Sequence, residues 1–543
     1  MDGVGPEILE TGGALNVRCR GRLLYSERGP ALIPARTAAA AELGPDRLYL
    51  VASPALWYGV PELLARLEPG SALLCVELDP DLAALSLREA PPGLLEDPRL
   101  AFVQSAAPEE LLARAAELGS FRRCLSLRLS GGEAFHAEAY RRAAALLQAE
   151  LAASWRNRAT LMSMGRLWAR NIFKNLAALG EIAPVPLPRV EKPVFVCGAG
   201  PSLEAAIPFL AERRGDLALV ACDTALPSLL AAGLEPDLVV CLEGQAHNLA
   251  DFTSAGGRPF PLLADLSSHP ATFRALSGPK HLTLVRIAPG GFMSRLRALG
   301  LPLLGVPPLG SVGVHAVHAA RLLGPGPVLA AGLDFAYERG KTHARGAPAL
   351  LAEERRLTRL CRFPGQLGAA FKVGVRPTAP GSALLTDPVL SSYAALLAEE
   401  AAAPGPLLLD LRGRGLPIGG RAASHAEAAA LLDAARAPFP APRGPEGAKG
   451  TEAACSAGAD AAAAGAAFIA GESRRLSRLV AALKGRESLD GPAFLELVAG
   501  SDYLLWPFPD AQRLRTMPQD LLNRLLVEAE YWRWKLGDIF SGR

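Results

Sequence analysis

The sequence lacks the cysteine patterns of zinc sites and of disulfide-stapled domains. Its cysteines are widely scattered and contain no CxxC pair. They stand at Cys19, Cys75, Cys124, Cys197, Cys222, Cys241, Cys361 and Cys455. Several lie inside apolar, strand-like runs. We therefore expect small buried hydrophobes in a reducing compartment.

The chain also has little excess charge. It carries 57 Lys and Arg against 54 Asp and Glu, a net charge of +3, which gives no electrostatic footprint for nucleic acid. Every long apolar stretch is interrupted by Asp, Glu, Gly or Pro before about 18 residues, and no charged and apolar leader opens the sequence. These absences predict a cytoplasmic protein without membrane insertion.

The chain is long and rich in apolar residues. It has 543 residues, half of them apolar, which is too much for one ordinary core. We predict an α/β protein with a Rossmann-like doubly wound central domain, a smaller Rossmann-like N-terminal domain and a helical C-terminal domain. The predicted ranges are 1–150 for the N-terminal domain, 151–189 for a helical connector, 190–425 for the central domain, 437–467 for a flexible linker and 468–543 for the C-terminal domain.

The N-terminal domain begins its alternation with a β-α-β pattern. Strand-like runs at Leu48–Ser53 and Ala72–Leu78 flank a helical segment near Pro61–Leu67. Glu77 and Asp79 end the second strand, where Rossmann-type units place a ribose-binding carboxylate. The turn after the first strand has no glycine pair to admit a cofactor. We therefore predict a scaffold without a bound cofactor.

The central domain alternates strand-like and helical runs, which is typical of a parallel sheet covered on both faces. The predicted strands are Val194–Cys197, Ala218–Cys222, Leu238–Leu242, Leu262–Ala264, Leu282–Arg286 and Val328–Ala331.

The strongest local motif follows the first of these strands. Gly198 and Gly200 remove side chains where a phosphate must approach the backbone, and Ser202 can cap the helix that begins here. The motif continues through Pro201 and Leu203. A tight strand-to-helix turn without a ligand remains the alternative interpretation.

Polar residues also end the next two strands. Asp223 and Thr224 follow the second strand, and Glu243 and Gln245 follow the third. Because parallel strands bind ligands at their carboxyl ends, we expect these groups to face one crevice. An isolated Asp223 could equally cap the next helix.

A second small-residue helix start contains Gly310, Ser311 and Gly313, and it can hold a phosphate in the same way. His315 and His318 share a face of this helix. No carboxylate or cysteine nearby in the sequence completes a metal set, so we interpret them as packing residues.

The last strand of the pattern leads into candidates for chemistry. Asp334 and Tyr337 follow it, and His343 lies in the next loop. All three are expected at the edge of the sheet where general acid-base groups would be needed.

These motifs, in this order and spacing, resemble the core of the Maf (motility-associated factor) proteins. The shared segments are Gly198 to Leu203, Asp223 to Leu226, Pro236-Asp237 with Leu242-Glu243, Gly310-Ser311-Val312, Gly332 to Tyr337 and Gly340 to His343. Trp168 with Asn171 to Asn175 is similar to the helix that precedes this core, and Thr386-Asp387 with Tyr393 fits the segment that follows. The resemblance covers about half of the chain specifically and the N-terminal unit loosely.

The resemblance implies a cytoplasmic transferase that moves a nonulosonic acid from its CMP-activated donor to Ser or Thr of flagellin, supporting flagellar assembly. The central domain of that family is similar to bacterial sialyltransferases. By that similarity, Ser311, Gly313 and Gly332 to Phe335 of this chain would border the CMP site. Because a CMP-sugar carries a single phosphate and needs a divalent ion less than a nucleoside diphosphate donor does, we predict an inverting displacement that needs neither a metal nor a resident cofactor. Helix amides, Ser202, Ser311 and Tyr337 would stabilise the departing phosphate.

The chain departs from the sialyltransferase pattern at one position, because no histidine stands just ahead of Thr386-Asp387. We therefore assign the catalytic base to His343 or Asp334, with Tyr337 as the third catalytic residue.

Two other functions remain open. The Gly198 to Leu203 segment also resembles archaeal hydroxymethylpterin pyrophosphokinases, which hold magnesium with clustered carboxylates; here Glu243 stands where that family places two aspartates. The third interpretation is a non-catalytic assembly factor that binds flagellin.

Overall fold

A computed structural model describes residues 5–288, 290–360, 362, 365–435 and 452–540. The chain forms two compact units. The first comprises Met1–Ser163 with Trp506–Pro518, and the second comprises Met164–Leu505 with Gln519–Arg543. Among the described residues, no helix is both long and apolar enough to cross a membrane.

The first unit contains two sheets. Its strands are β1 (Glu7–Thr11), β2 (Ala14–Cys19), β3 (Arg22–Leu23), β4 (Arg47–Ala52), β5 (Ala72–Val76), β6 (Leu100–Val103) and β7 (Arg123–Arg128). Its helices are α1 (Leu32–Ala40), α2 (Val60–Arg66), α3 (Pro80–Arg88), α4 (Pro108–Leu118) and the start of α5 (Ala137–Ala177). β1 to β3 form an antiparallel sheet, and the parallel sheet has the order β6-β5-β4-β7. The smaller Rossmann-like fold is confirmed.

The carboxylates after β5 have partners inside the protein. Glu77 accepts hydrogen bonds from the Ser53 hydroxyl at 2.6 Å and from the Tyr140 hydroxyl at 3.2 Å. Asp79 caps α3 and forms an ion pair with Arg20. Both carboxylates therefore help to hold this unit together.

The second unit is built on a parallel sheet of nine strands. They are β8 (Val194–Cys197), β9 (Ala218–Cys222), β10 (Leu238–Cys241), β11 (Leu262–Asp265), β12 (Lys280–Val285), β13 (Leu303–Val306), β14 (Val328–Ala331), β17 (Leu408–Asp410) and β18 (Arg421–Ala422). Their order is β13-β12-β11-β10-β9-β8-β14-β17-β18. β15 (Arg376–Pro377) and β16 (Leu385–Thr386) form a separate antiparallel pair.

Helices connect these strands and follow them. They are α6 (Leu179–Ile182), α7 (Leu203–Arg213), α8 (Leu226–Ala231), α9 (Thr272–Ala275), α10 (Gly291–Arg297), α11 (Val312–Leu323), α12 (Pro348–Glu354), α13 (Pro388–Ala402), α14 (His425–Ala435), α15 (Glu452–Leu483), α16 (Gly491–Ala499) and α17 (Gln519–Phe540). Every residue of β8, β9, β10 and β14 is buried, as expected for parallel strands covered by helices. The doubly wound fold is confirmed.

Six cysteines, Cys19, Cys75, Cys124, Cys197, Cys222 and Cys241, are free and buried. Their predicted role as small core residues is therefore confirmed. Burial raises the pKa of the Cys124 thiol to about 12, so it stays protonated. Cys361 and the side chain of Cys455 lie outside the described residues.

The predicted linker at 437–467 is wrong from Glu452 onward, because this stretch begins α15. Residues 437–451 lie outside the described part. Alanine is the best helix former, and glycine allows close packing: a Cβ on Gly465 would come within 2.2 Å of the Leu176 carbonyl oxygen. The small residues that suggested a linker instead let α15 pack against α5 and α6.

Aromatic residues near the C-terminus are found in both units. Tyr503 packs against Phe173, Phe292 and Trp532 in the second unit, whereas Trp506 and Phe508 belong to the first. Trp506 and Trp532 are both buried. Both tryptophans are therefore core residues.

Candidate active site at the carboxyl ends of β8 and β14

The order of strands in the large sheet creates a crevice. The chain adds β8 to β13 in one direction and then returns to place β14 on the other side of β8. The strand order therefore reverses between β8 and β14. Open α/β sheets bind ligands at such a switch point.

Three glycines allow the loops after β8 and β14 to pack closely against each other. A Cβ on Gly198 would come within 2.3 Å of the Gly332 carbonyl oxygen, and one on Gly332 within 2.0 Å of the Gly198 oxygen. A Cβ on Gly200 would meet the Asp334 carboxylate at 2.2 Å. The close approach that requires these glycines is thus between two parts of the protein.

The backbone amides of the loop after β8 donate hydrogen bonds within the protein. Gly198 N donates to Ala331, and Gly200 N donates to Gly332 at 2.7 Å. Ser202 N donates to Asp334 Oδ2 at 3.0 Å, and Leu203 N donates to the Gly200 carbonyl. These amides therefore have partners before any phosphate arrives.

The predicted helix cap at Ser202 is wrong. Ser202 has a helical backbone conformation, and its side chain makes no capping bond. Its buried hydroxyl instead accepts a hydrogen bond from Gly332 N at 2.9 Å. Because that hydroxyl is already engaged, its predicted contact with a departing phosphate is not supported.

A cavity of about 820 Å³ opens at this switch point. Of the proposed catalytic and nucleotide-sugar-binding residues, eight line it: Gly198, Gly200, Thr224, Ser311, Gly313, Asp334, Tyr337 and His343. Seven others do not: Pro201, Ser202, Leu203, Asp223, Glu243, Gln245 and Gly310. Gly332, Leu333 and Phe335, which the resemblance places beside the CMP site, line it as well. The structure thus brings together the three predicted catalytic residues and both helix-start segments.

Helix α11 begins at the cavity wall. Ser311 is its N-cap and accepts a hydrogen bond from Gly313 N at 3.2 Å. Ser311, Val312 and Gly313 all line the cavity. The first-turn amides and the helix dipole favour an anion at this end.

Asp334 combines a structural contact with a free oxygen. Its Oδ2 accepts the Ser202 amide, whereas its buried Oδ1 has no hydrogen-bond partner among the described residues. Burial raises the pKa of Asp334, and the hydrogen bonds from Ser202 oppose that rise. A carboxylate with a raised pKa and an unused oxygen is suited to accept a proton.

His343 is the second candidate base. Its Nδ1 lies 2.9 Å from the Thr342 hydroxyl, which restrains the ring. Burial lowers the pKa of His343 below its ordinary value of 6.5. The imidazole is therefore neutral at neutral pH, the form that can accept a proton.

Tyr337 is held by a main-chain group. Its hydroxyl donates to the Ala369 carbonyl at 3.0 Å, and burial, with the Asp387 charge, raises the pKa of Tyr337. Asp387 lines the same cavity and caps α13. The Tyr337 hydroxyl must leave Ala369 before it can donate to a phosphate.

Asp223 lies behind the cavity wall and accepts hydrogen bonds from Asn248 Nδ2 at 2.9 Å and from Thr224. It does not cap a helix, because Cys222 occupies that position. Burial, then the nearby Asp223 charge, raises the pKa of Asp251 to about 7. Sequence reasoning missed Asp251 and Asn248, which come from a 3-10 segment without a strand-end signal.

Glu243 and Gln245 shape the loop after β10. The Gln245 amide donates to Glu243 Oε1 at 2.9 Å. Asn171 donates from its side chain to the Gly244 carbonyl at 2.8 Å. The predicted single crevice therefore includes Thr224 but not these two residues, since their loop is held against α5.

His315 and His318 are in packed positions. His315 is completely buried, and burial lowers its pKa to about 4. His318 Nδ1 lies 3.1 Å from Glu400, which also pairs with Arg321. Glu400 is a carboxylate near His318 that the sequence did not reveal. Within the described residues, no group of three or more His, Cys, Asp or Glu could hold a metal ion.

Sequence reasoning also missed part of the cavity wall. Glu353, Gly368, Ala369 and Lys372 line it, but their segment carries no motif that distinguishes it from an ordinary loop. The signal that could have marked this segment is its concentration of Lys and Arg, since residues 338–376 contain nine of them and only three Glu.

Two comparisons concern sequence. Residues 168–340 match the family described as 6-hydroxymethylpterin diphosphokinase MptE-like. An uncharacterized protein of Treponema pallidum (strain Nichols) is 31% identical over 441 residues, covering 79% of this chain and 76% of that protein. A second uncharacterized protein of that organism is 35% identical over 82 residues, covering 15% of this chain and 39% of its own length.

A third comparison concerns structure. The Maf glycosyltransferase from Magnetospirillum magneticum AMB-1 has a similar fold, with a TM-score of 0.56 and 15% sequence identity. The similarity covers 99% of this chain and 90% of that one. The resemblance drawn from sequence motifs is therefore confirmed at the level of the fold, and the pyrophosphokinase resemblance is confirmed for the central region.

Proposed function

This chain belongs to one family with the 31% identical Treponema pallidum protein and has the fold of a Maf glycosyltransferase, and from these two findings we propose that it is a glycosyltransferase. The observation that carries the proposal is the cavity between the loops of β8 and β14, into which the first turn of α11 opens. A nucleotide-sugar donor needs such a concave site with a place for its phosphate.

In the proposed complex, the donor phosphate lies at the N-terminus of α11. Ser311, Val312 and Gly313 present this end to the cavity. Lys372 supplies a positive charge in the same wall. The helix dipole and this ammonium would oppose the negative charge that grows on the phosphate as it leaves.

The proposed reaction is a single inverting displacement. The acceptor hydroxyl oxygen bonds to the anomeric carbon while the bond from that carbon to the phosphate oxygen breaks. The hydroxyl proton passes to His343 or Asp334, both of which line the cavity. No resident cofactor takes part, since the bond-making and bond-breaking groups are the donor and the acceptor themselves.

The donor and acceptor follow the family resemblance. We propose a CMP-activated nonulosonic acid as donor and Ser or Thr of flagellin as acceptor, in the cytoplasm and in support of flagellar assembly. A donor with a single phosphate needs less charge compensation than a nucleoside diphosphate, which agrees with a wall whose described residues include a single lysine, Lys372.

The test is calorimetric titration of the full-length chain with CMP, AMP and ATP, each with and without magnesium. Micromolar binding of CMP that does not depend on magnesium supports the proposal. The Ser311→Ala variant should bind CMP more weakly. The matched control is Ser294→Ala, because Ser294 is exposed and its hydroxyl donates to the Gly290 carbonyl just before α10.

A second candidate function is favoured by the MptE-like match at 168–340. A pyrophosphokinase would bind ATP with magnesium and transfer pyrophosphate. Magnesium-dependent binding of ATP, with no binding of CMP, would therefore replace the glycosyltransferase proposal. If none of the nucleotides binds, the non-catalytic assembly factor becomes the better interpretation.

A further inference from the structure

Positive charge is concentrated in one segment beside the candidate active site. Residues 338–376 contain nine Lys or Arg and three Glu, a net charge of +6, whereas the whole chain has only +3. The rest of the chain is therefore slightly acidic. Such an asymmetry marks a surface that attracts an oppositely charged partner.

Most of these cations are exposed and free of acidic partners. Lys341 pairs with Glu204, and Arg356 pairs with Glu353. The remaining exposed cations make no ion pair with another described residue. Among them are Arg339, Arg355, Arg359, Arg362, Lys372 and Arg376.

Large apolar side chains are exposed on the same segment. Leu360 is 94% exposed, Phe371 82% and Val373 102%, with Leu357 also exposed. Single exposed apolar residues are ordinary, but several within one short segment, mixed with cations, are typical of a protein interaction surface.

This surface is continuous with the cavity. Ala352, Glu353, Ala369 and Lys372 belong to the segment and line the cavity wall. The Tyr337 hydroxyl bonds to the Ala369 carbonyl and joins the segment to the loop after β14. A chain bound on the segment would therefore lie at the opening through which an acceptor hydroxyl must pass.

We propose that the exposed cations and apolar side chains of this segment bind an acidic, apolar stretch of the protein acceptor. Carboxylates of that stretch pair with Arg355 and Arg359, while its apolar side chains cover Leu360 and Phe371. The proposal rests on the proposed function, because only a transferase needs an acceptor at this cavity. A protein occupant is favoured over a lipid surface because the cavity that opens beside it must receive a single hydroxyl.

The test uses the full-length chain and a fluorescent peptide of about 20 residues that alternates Asp or Glu with Leu or Phe and contains one Ser. A matched peptide carries Lys in place of the acidic residues. The variants are Arg355→Glu with Arg359→Glu, and Phe371→Ser. The control is Arg189→Glu with Arg474→Glu, two exposed arginines elsewhere that make no ion pair with a described residue.

We expect the acidic peptide to bind and the Lys peptide not to bind. The charge-reversal variant should weaken binding by about fivefold or more, with a smaller salt dependence, since two exposed attractions become repulsions. Phe371→Ser should weaken binding as well, and the control should bind as the wild type does. Equal affinity of the wild type and both variants would overturn the proposal.

Two further measurements separate this proposal from others. The same variants should bind CMP as the wild type does. If neither the wild type nor the variants bind CMP, the proposed function is contradicted, whereas the proposal of an acceptor-binding surface is tested by the peptides alone. Vesicles of phosphatidylcholine with about a third phosphatidylserine test the lipid alternative. Binding to these vesicles that the variants lose, without binding of the acidic peptide, would overturn a protein occupant.

Discussion

Asp334 Oδ2 accepts a hydrogen bond from the backbone amide of Ser202 at 3.0 Å, although the two residues are 132 positions apart in the chain. The Ser202 hydroxyl in turn accepts the Gly332 amide. These bonds fasten the loop after β8 to the loop after β14, and the cavity lies beside them. The geometry of the candidate site therefore depends on the contact between the two loops.

Replacing Asp334 should separate its two roles. Asp334→Ala leaves the buried Ser202 amide without a partner, and we expect a loss of about 1–3 kcal/mol in the free energy of unfolding. Asp334→Asn keeps an oxygen for that amide but removes the basic carboxylate. Thermal unfolding should show that the Asp334→Asn variant is nearly as stable as the wild type, and an assay of sugar transfer should show that its activity is reduced. Wild-type transfer by the Asn variant would eliminate Asp334 as the base.

The close packing at the three glycines predicts that a larger side chain at Gly200 will clash with its neighbours. Gly200→Ala places a Cβ within 2.2 Å of the Asp334 carboxylate, and we expect it to destabilise the second unit by about 1–3 kcal/mol and to weaken CMP binding. Gly215→Ala is the matched control, because its Cβ would meet nothing within 4 Å. Chemical unfolding gives the stability of both variants, and calorimetry gives their affinity for CMP. Equal stability and equal affinity of the two variants would contradict the close packing at Gly200.

His343 predicts the direction of the pH dependence of transfer. Because burial lowers its pKa below 6.5, the neutral form persists at pH 6.5, and transfer should decline only at more acidic pH. His343→Gln should abolish this acidic decline together with most activity. His318→Gln, which changes a histidine paired with Glu400, serves as the control. An acidic decline unchanged in His343→Gln would assign the base elsewhere.

His315 predicts how stability depends on pH. Its folded pKa of about 4 lies below the ordinary 6.5, so the unfolded chain binds the proton more readily between these values. Its neutral form therefore supports full stability above pH 6.5, and about 3 kcal/mol is lost as pH falls toward 4. His315→Leu should lose less stability over that range in urea titrations. The exposed His247, changed to Gln, should leave the wild-type loss unaltered.

Much of the fold could be predicted because buried parallel strands are continuous apolar runs. Val194–Cys197, Ala218–Cys222 and Val328–Ala331 have the bounds expected from sequence. β13, at Leu303–Val306, escaped prediction because it is an edge strand in which only Val306 is fully buried. The start of α15 has the composition of a linker because its residues are small, and only the structure shows that they allow close packing against other helices.

The sequence by itself determined that glycines, strand-end carboxylates and a capped helix would meet at one edge of a parallel sheet. Their residue types and strand positions carry that information through local preference and burial. Only the tertiary structure decided the role of each group. The amides of Gly200 and Ser202 bind the loop after β14, whereas Ser311, Asp334 and His343 reach the cavity. The reason is physical: whether a polar group is free for a ligand depends on which distant part of the chain already satisfies its hydrogen bonds.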